Sequence, residues 1–270
     1  MGDANAAGRD DDVIFYGPAQ LAVARGTSVA GERYFDRLAS GTVSTTSRLA
    51  SGGIGVGAQI VEGRNLDGCL TSSLPSGILP ARTIMRSQAV VGAALTFKRY
   101  RFGLAGKYAG EQADDNRVSQ FLVDAGISRD FTLGDFVPLT VAAAMQSIGP
   151  DPTTATELGV PRRASLGVAS GGPLGPIDLA VAAQAGFERT GPLRSLRNTP
   201  MARGGIEVGY TWLDGYSFSL RAGERTNNAT TILRHTTFGA GLVLDRLAFD
   251  YATEHLAGSR FAHRFGIRLR

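Results

Sequence analysis

The sequence has one cysteine, Cys69, in 270 residues. A single thiol forms no intramolecular disulfide and no cysteine-based metal site, and a lone cysteine is most often a structural residue. Histidine is nearly as scarce. His235, His255 and His263 lack metal-ligand spacing, and no motif places a serine, a histidine and an acid together, so neither a metal nor a catalytic residue is assigned and the chain reads as a non-enzyme. No stretch of about 18 apolar residues occurs, which excludes a helical membrane span. The formal charge is only +4, with arginines spread along the chain, so there is no nucleic-acid footprint. The opening Met1-Gly2-Asp3-Ala4-Asn5 lacks a basic region followed by an apolar one. For an exported protein, that is a start from which the signal peptide is missing.

What the chain does have is glycine, 36 residues of it, and alternation of period two. In the last third, Ile206, Val208, Tyr210 and Trp212 oppose Glu207, Gly209 and Thr211. Four more segments do the same: Tyr216 to Ala222, Phe238 to Leu244, Leu247 to Tyr251 and Phe265 to Leu269. Strand side chains switch faces at every residue, so each segment has one apolar face and one polar or nearly bare face. A water-soluble sandwich would fill its inner face with large branched side chains; here the non-apolar face is rich in glycine, which suits a crowded interior. The pattern is that of a membrane-spanning β-barrel, and a mean hydropathy near zero is what such alternation gives.

The expected fold is therefore all-β: a single transmembrane antiparallel β-barrel of about fourteen strands with a short N-terminal plug or rim segment. Residues 1–26 form the periplasmic or plug segment and 27–270 the barrel. The earlier strands are read around Ser28 to Phe35, Gly41 to Leu49, Gly53 to Ile60, Ala89 to Phe97, Phe102 to Tyr108, Phe121 to Ile127, Val137 to Met145, Ala164 to Val168 and Ile177 to Phe187. Short and long links alternate, as they do between the two sides of an outer-membrane barrel. Both termini then fall on the short-turn, periplasmic side. Turn lengths give registers. A three-residue link, Leu213-Asp214-Gly215, places Trp212 opposite Tyr216; a link at Arg99-Tyr100 joins the fourth and fifth strands; Asp245-Arg246 pairs Leu244 with Leu247. A last hairpin turning about Ala257 would set Asp250 directly opposite Arg264 as an ion pair.

Parity assigns side chains to faces. Lys98, Lys107, Asp124, Asp178, Glu188, Glu207, Arg221, Asp250, Arg264 and Arg268 are expected in the lumen, and their mixed signs point to internal salt bridges that narrow the bore. Tyr210, Trp212, Tyr216, Phe218, Phe238, Phe249, Tyr251 and Phe265 are expected to face lipid. Gly53-Ile54-Gly55-Val56-Gly57-Ala58 matches a dinucleotide fingerprint on paper, but its residues alternate as a strand and no helix follows, so no cofactor is expected. Asn228-Ala229-Thr230 marks only a polar loop. The link from Glu62 to Gln88, which holds Cys69, Pro75 and Pro80, is long enough to cover the barrel mouth or dock a partner.

The two ends of the chain carry a resemblance. Asp12-Val13-Ile14-Phe15-Tyr16-Gly17-Pro18-Ala19-Gln20-Leu21 resembles the acidic, aromatic, Asn-Pro-Ala-x-Leu opening of FadL-superfamily outer-membrane barrels, particularly the PorV-like branch, with Gly17 in the place of the asparagine. Leu247-Ala248-Phe249-Asp250-Tyr251-Ala252, then Gly258 and His263-Arg264-Phe265-Gly266-Ile267, looks like that branch's closing strands, although the chain ends in Leu269-Arg270 and not in an aromatic. The resemblance implies a fourteen-stranded barrel in the bacterial outer membrane. It acts either as a structural or accessory subunit of a secretion or surface complex, the reading favoured here because the chain is short, or as a passive transporter for hydrophobic solutes such as fatty acids. An outer-membrane hydrolase is a third and weaker option. Expected partners are outer-membrane lipid, other envelope proteins and a hydrophobic small molecule.

Overall fold

Period-two alternation becomes a sheet with no free edge. The computed structural model describes residues 7, 12–34, 38–64, 83–113, 116–134, 137–150, 162–190, 197–227, 233–256 and 260–269. Among them run fourteen strands: β1 (Gly26–Tyr34), β2 (Leu38–Leu49), β3 (Gly52–Arg64), β4 (Thr83–Phe97), β5 (Tyr100–Ala113), β6 (Asn116–Leu133), β7 (Val137–Ile148), β8 (Arg162–Leu174), β9 (Ile177–Thr190), β10 (Arg197–Leu213), β11 (Tyr216–Asn227), β12 (Leu233–Leu244), β13 (Leu247–Leu256) and β14 (Arg260–Leu269). Each pairs antiparallel with its neighbours, and β1 pairs with β14, Thr27 opposite Leu269, to close the barrel. Closure leaves no row of backbone donors and acceptors unpaired, the condition for a sheet in hydrocarbon. No described helix is long and apolar enough to cross a membrane. Ala50-Ser51, Lys98-Arg99, Asp214-Gly215 and Asp245-Arg246 are tight turns at one end of the barrel, and the outer ends of β1 and β14 lie at that same end.

The two faces are of opposite character. Phe218 and Leu242 are 42% and 36% exposed on the outside, whereas the side chains of Arg221 and Asp250 keep only 23% and 21% of their surface inside the barrel. A compact soluble core would reverse those values. Two short 3-10 turns, Val13–Phe15 and Pro18–Ala22, precede β1, and their residues are buried inside the barrel against β2 to β6.

Three registers differ from expectation. The β4–β5 turn is Lys98-Arg99, with Phe97 opposite Tyr100 and Lys98 at φ 55°. Lys98 is thus a turn residue, not a lumen charge, and its ammonium lies over the exposed Phe97 ring at 5.5 Å. The β10–β11 turn has two residues, Gly215 at φ 82°, and Leu213 faces Tyr216; Trp212 is displaced into a register shift, its ring still 6.4 Å from that of Tyr216. In the last hairpin Asp250 faces Gly266, and Arg264 faces Ala252. The turn is therefore centred one residue later than Ala257, which moves Arg264 two places away from Asp250. The β12–β13 register pairs Leu244 with Leu247 across Asp245-Arg246, as the turn length implies. His255 lies within β13, its ring 5.1 Å from Phe261. Cys69, Pro75, Pro80 and Asn228-Ala229-Thr230 lie outside the described residues.

Candidate functional site

The lumen carries an apolar seat in the middle of β3–β6, with the ion pairs Arg101–Asp130 and Arg86–Glu111 towards either end of the same strands, and an ionic wall on β8–β14. On the β3–β6 side the inward positions are Gly53, Gly55, Gly57, Val90, Gly92, Ala94, Gly103, Ala105 and Gly126, and the N-terminal segment is seated on them. Val13, Ile14, Phe15, Leu21, Ala22, Val90, Ala94 and Ala105 form one apolar cluster. The glycines are required by close approach. A Cβ at Gly53 would stand 1.9 Å from the Leu21 carbonyl oxygen, and one at Gly103 would stand 2.2 Å from the Pro18 carbonyl carbon. No side chain fits where two backbones meet so closely. At Gly55, Gly57 and Gly92 the added atom would meet Leu21, Phe15 and Ile14 side chains at 2.7–2.9 Å.

Polar contacts fasten the segment at two places. The Gln146 amide donates to the Phe15 carbonyl at 2.6 Å, and the Arg264 guanidinium donates to the Asp12 carboxylate at 3.0 Å. Gln146 continues the inward series of Thr140, Ala142 and Ala144, and β7 carries an irregularity just beyond it that buries Ser147 as well: Val123 faces Ile148 but Ala125 faces Met145, and Ser147 adopts φ 58°. The Ser147 N–H donates to Asp124, whose other oxygen is 2.5 Å from the Lys107 ammonium, and that pair is buried. Gln20, fully buried in the second turn, finds no hydrogen-bond partner for its amide among the described residues. Gly17 supplies no side-chain cap to that turn.

The β8–β14 side is ionic. Arg221 donates to Glu207 at 2.6 Å and to Asp250, and Arg268 donates to the other Asp250 oxygen at 2.7 Å. Glu188 accepts from Arg163 at 2.6 Å, with Arg203 3.9 Å away. Asp178 accepts from Thr211 at 3.1 Å, close to the tight-turn end. Lys107, Asp124, Asp178, Glu188, Glu207, Arg221, Asp250, Arg264 and Arg268 thus occupy inward positions, Asp250 and Arg264 in separate pairs. Between this wall and the N-terminal segment lies a cavity of about 180 Å³ that runs along β14 from Ala262 to Arg268.

Several lumen ions lie beyond the stretches where alternation is visible. Arg101, buried, donates to Ser128 at 2.9 Å and to Asp130 at 2.6 Å; it shares parity with Lys107 but precedes the run beginning at Phe102. Arg203, and Glu254 with its partners Arg225 and His235 at 2.6 and 3.0 Å, stand likewise past the apolar runs. His263 stacks on Tyr251, whose hydroxyl is 2.8 Å from its Nδ1. These histidines are engaged by an acid and a phenol.

Tyr210, Trp212, Phe218, Phe238, Tyr251 and Phe265 are exposed on the outer face, and Tyr216 and Phe249 share that face in register with Leu244 and Leu242. Behind the apolar seat, the outer surface of β3–β6 holds an open hollow of about 540 Å³ lined by Ile54, Val56, Val91, Leu104, Gly106 and Val123. Only backbone separates it from the segment at Gly55 and Gly92, which line it from the other side.

No family model and no curated protein matches the chain. Solved structures do, as closed barrels of this architecture. The Ralstonia pickettii toluene transporter TbuX is similar with a TM-score of 0.61 at 11% identity, over 97% of this chain and 94% of that one. The CymD monoaromatic hydrocarbon channel is similar with a TM-score of 0.61 at 10% identity, over 96% and 92%. The Pseudomonas putida toluene transporter TodX follows with 0.55 at 12%, over 98% and 91%. At such identities the likeness is one of fold.

Proposed function

We propose that this chain is a bacterial outer-membrane barrel, both termini periplasmic, that passes small hydrophobic molecules when its N-terminal segment leaves its seat. The observation that carries the reading is the apolar stripe inside the lumen. A pore for polar solutes has no use for an inner wall of glycine, alanine and valine covered by Ile14, Phe15 and Leu21; a hydrophobic solute does, since such a wall replaces water around it as the segment's own side chains do now. The cavity beside the segment is lined by charged side chains, Asp12, Arg221, Asp250 and Arg268 among them, a costly path for a hydrophobic solute, so passage along the apolar wall requires the segment to move. Its seat is built to release. The unpaired Gln20 amide weakens it by about 1–3 kcal/mol relative to an apolar residue of the same shape. The hydrocarbon channels and toluene transporters that share the fold over more than nine-tenths of their length support the same reading.

A second reading is a structural or accessory subunit of a secretion or surface complex, as the PorV-like resemblance implies. It is favoured by the continuous registers of β1 to β5 and by the filled lumen. Uptake of labelled toluene by bacteria that carry the barrel, compared with bacteria that lack it, tests the first reading. Equal uptake together with companion proteins at fixed stoichiometry in mild detergent would establish the second in its place.

A further inference from the structure

On the outer wall, near the tight-turn end of β4 to β6, a cation stands where hydrocarbon-facing residues are expected. Arg129 lies on the outward parity of β6, between Ile127 and Phe131, while its neighbours Ser128 and Asp130 point inward to Arg101. Its guanidinium carbon is 4.8 Å from the centre of the Tyr100 ring and 4.6 Å from that of Phe131, and its Nη1 donates to the Tyr100 hydroxyl at 2.7 Å. Nε is buried without a partner, and among the described residues no carboxylate pairs with this guanidinium. Tyr100, directly opposite Arg129 in the sheet, follows the Lys98-Arg99 turn, so two further cations sit at the same level.

An arginine on the outer face of a barrel is tolerated near the membrane boundary and costly toward its centre. Two rings and a phenol hold the group flat and stabilise its charge, but they do not neutralise it. Tyr100 belongs to the amphipathic class of rings that settles at headgroup depth. Resting on the membrane-barrel reading, we infer that Tyr100, Arg129 and Phe131, with Lys98 and Arg99 at the turn, form a site for the phosphate headgroup of an anionic phospholipid in the leaflet at the tight-turn end. The clamp fixes the guanidinium plane and leaves Nη2 to donate to phosphate oxygens, and the turn cations add attraction without fixed geometry. The acyl chains then lie along the outer apolar side chains of β5 and β6, Phe102 and Ile127 first.

The test is native mass spectrometry of the full chain released from nanodiscs of equal phosphatidylglycerol and phosphatidylcholine, with thermal unfolding in each lipid as a second readout. The wild type should retain phosphatidylglycerol about fivefold over phosphatidylcholine and unfold at higher temperature in it. R129Q should bring both readouts to parity; R129K should keep part of the preference, since it retains charge but loses the stacked plane. If R129Q does not fold, the wild-type preference, its partial retention in R129K and its reduction in F131L carry the test. A wild type without preference, an R129Q that keeps it, or adducts displaced by about 10 mM inorganic phosphate would overturn the site. A chain that fails to enter nanodiscs would instead overturn the membrane-barrel reading on which the site rests.

Discussion

The apolar seat in the middle of β3–β6 and the ionic wall of β8–β14 belong to one sheet and show opposite solutions to the same problem. A fourteen-stranded barrel encloses more space than its own side chains fill. On one side the chain removes side chains and inserts a piece of its own backbone, so that Leu21 and Pro18 rest against Gly53 and Gly103. On the other it extends long charged side chains and lets them pair, Glu207 with Arg221, and Asp250 with Arg221 and Arg268. Apolar packing at such close approach tolerates no added atom. An ion network with water beside it tolerates small changes in volume but not the loss of a charge.

That contrast can be broken most strongly at the seat. Gly103→Ala puts a Cβ 2.2 Å from Pro18 and should cost about 1–3 kcal/mol as the segment shifts or leaves, read as a lower unfolding temperature of the folded gel band and faster proteolysis of the N-terminus. Gly209→Ala, also inward but with its nearest atom, Asp178 Cβ, at 3.4 Å, should change neither. Equal effects at the two positions would remove the distinction between the walls. Next in size is Asp250→Ala, which strands Arg221 and Arg268. Because about a fifth of each side chain in the Arg221–Asp250 pair reaches lumen water, the loss should be about 1–2 kcal/mol, below that of a fully buried pair. Protease access to the N-terminus should not move, and Asp250→Ala with Arg268→Ala should recover part of the loss. Smallest is Gln20→Leu, which removes an unpaired amide from the seat and should stabilise it by about 1 kcal/mol, read as slower proteolysis of the N-terminus and slower solute uptake.

The barrel itself was legible because lipid and lumen impose alternation: strand number, the sense of the faces and the tight Asp245-Arg246 register all follow from residue parity and turn length. What parity does not carry is phase at the ends of strands. Lys98 continues the inward series by count yet sits in a turn, because the two-residue hairpin begins one position earlier than the Arg99-Tyr100 link implied. Arg264 misses Asp250 for a similar reason, a turn one residue further along. Charges such as Arg101 and Arg203 lie where the apolar partners that mark a strand have ended. The glycines announced a crowded interior, but nothing in β3 or β5 says which segment crowds it. That contact joins residues far apart in sequence, and only the fold brings Phe15 to Gln146 and Asp12 to Arg264.

The measurement that bears most directly on the account is solute uptake by bacteria carrying the barrel, taken with labelled toluene and a labelled monosaccharide, for the wild type and for a chain lacking residues 13–22. The wild type should admit toluene and exclude the sugar, and the shortened chain should admit both. A wild type that speeds neither, or a shortened chain that still excludes the sugar, would contradict the claim that a displaceable apolar segment closes a route for hydrophobic molecules.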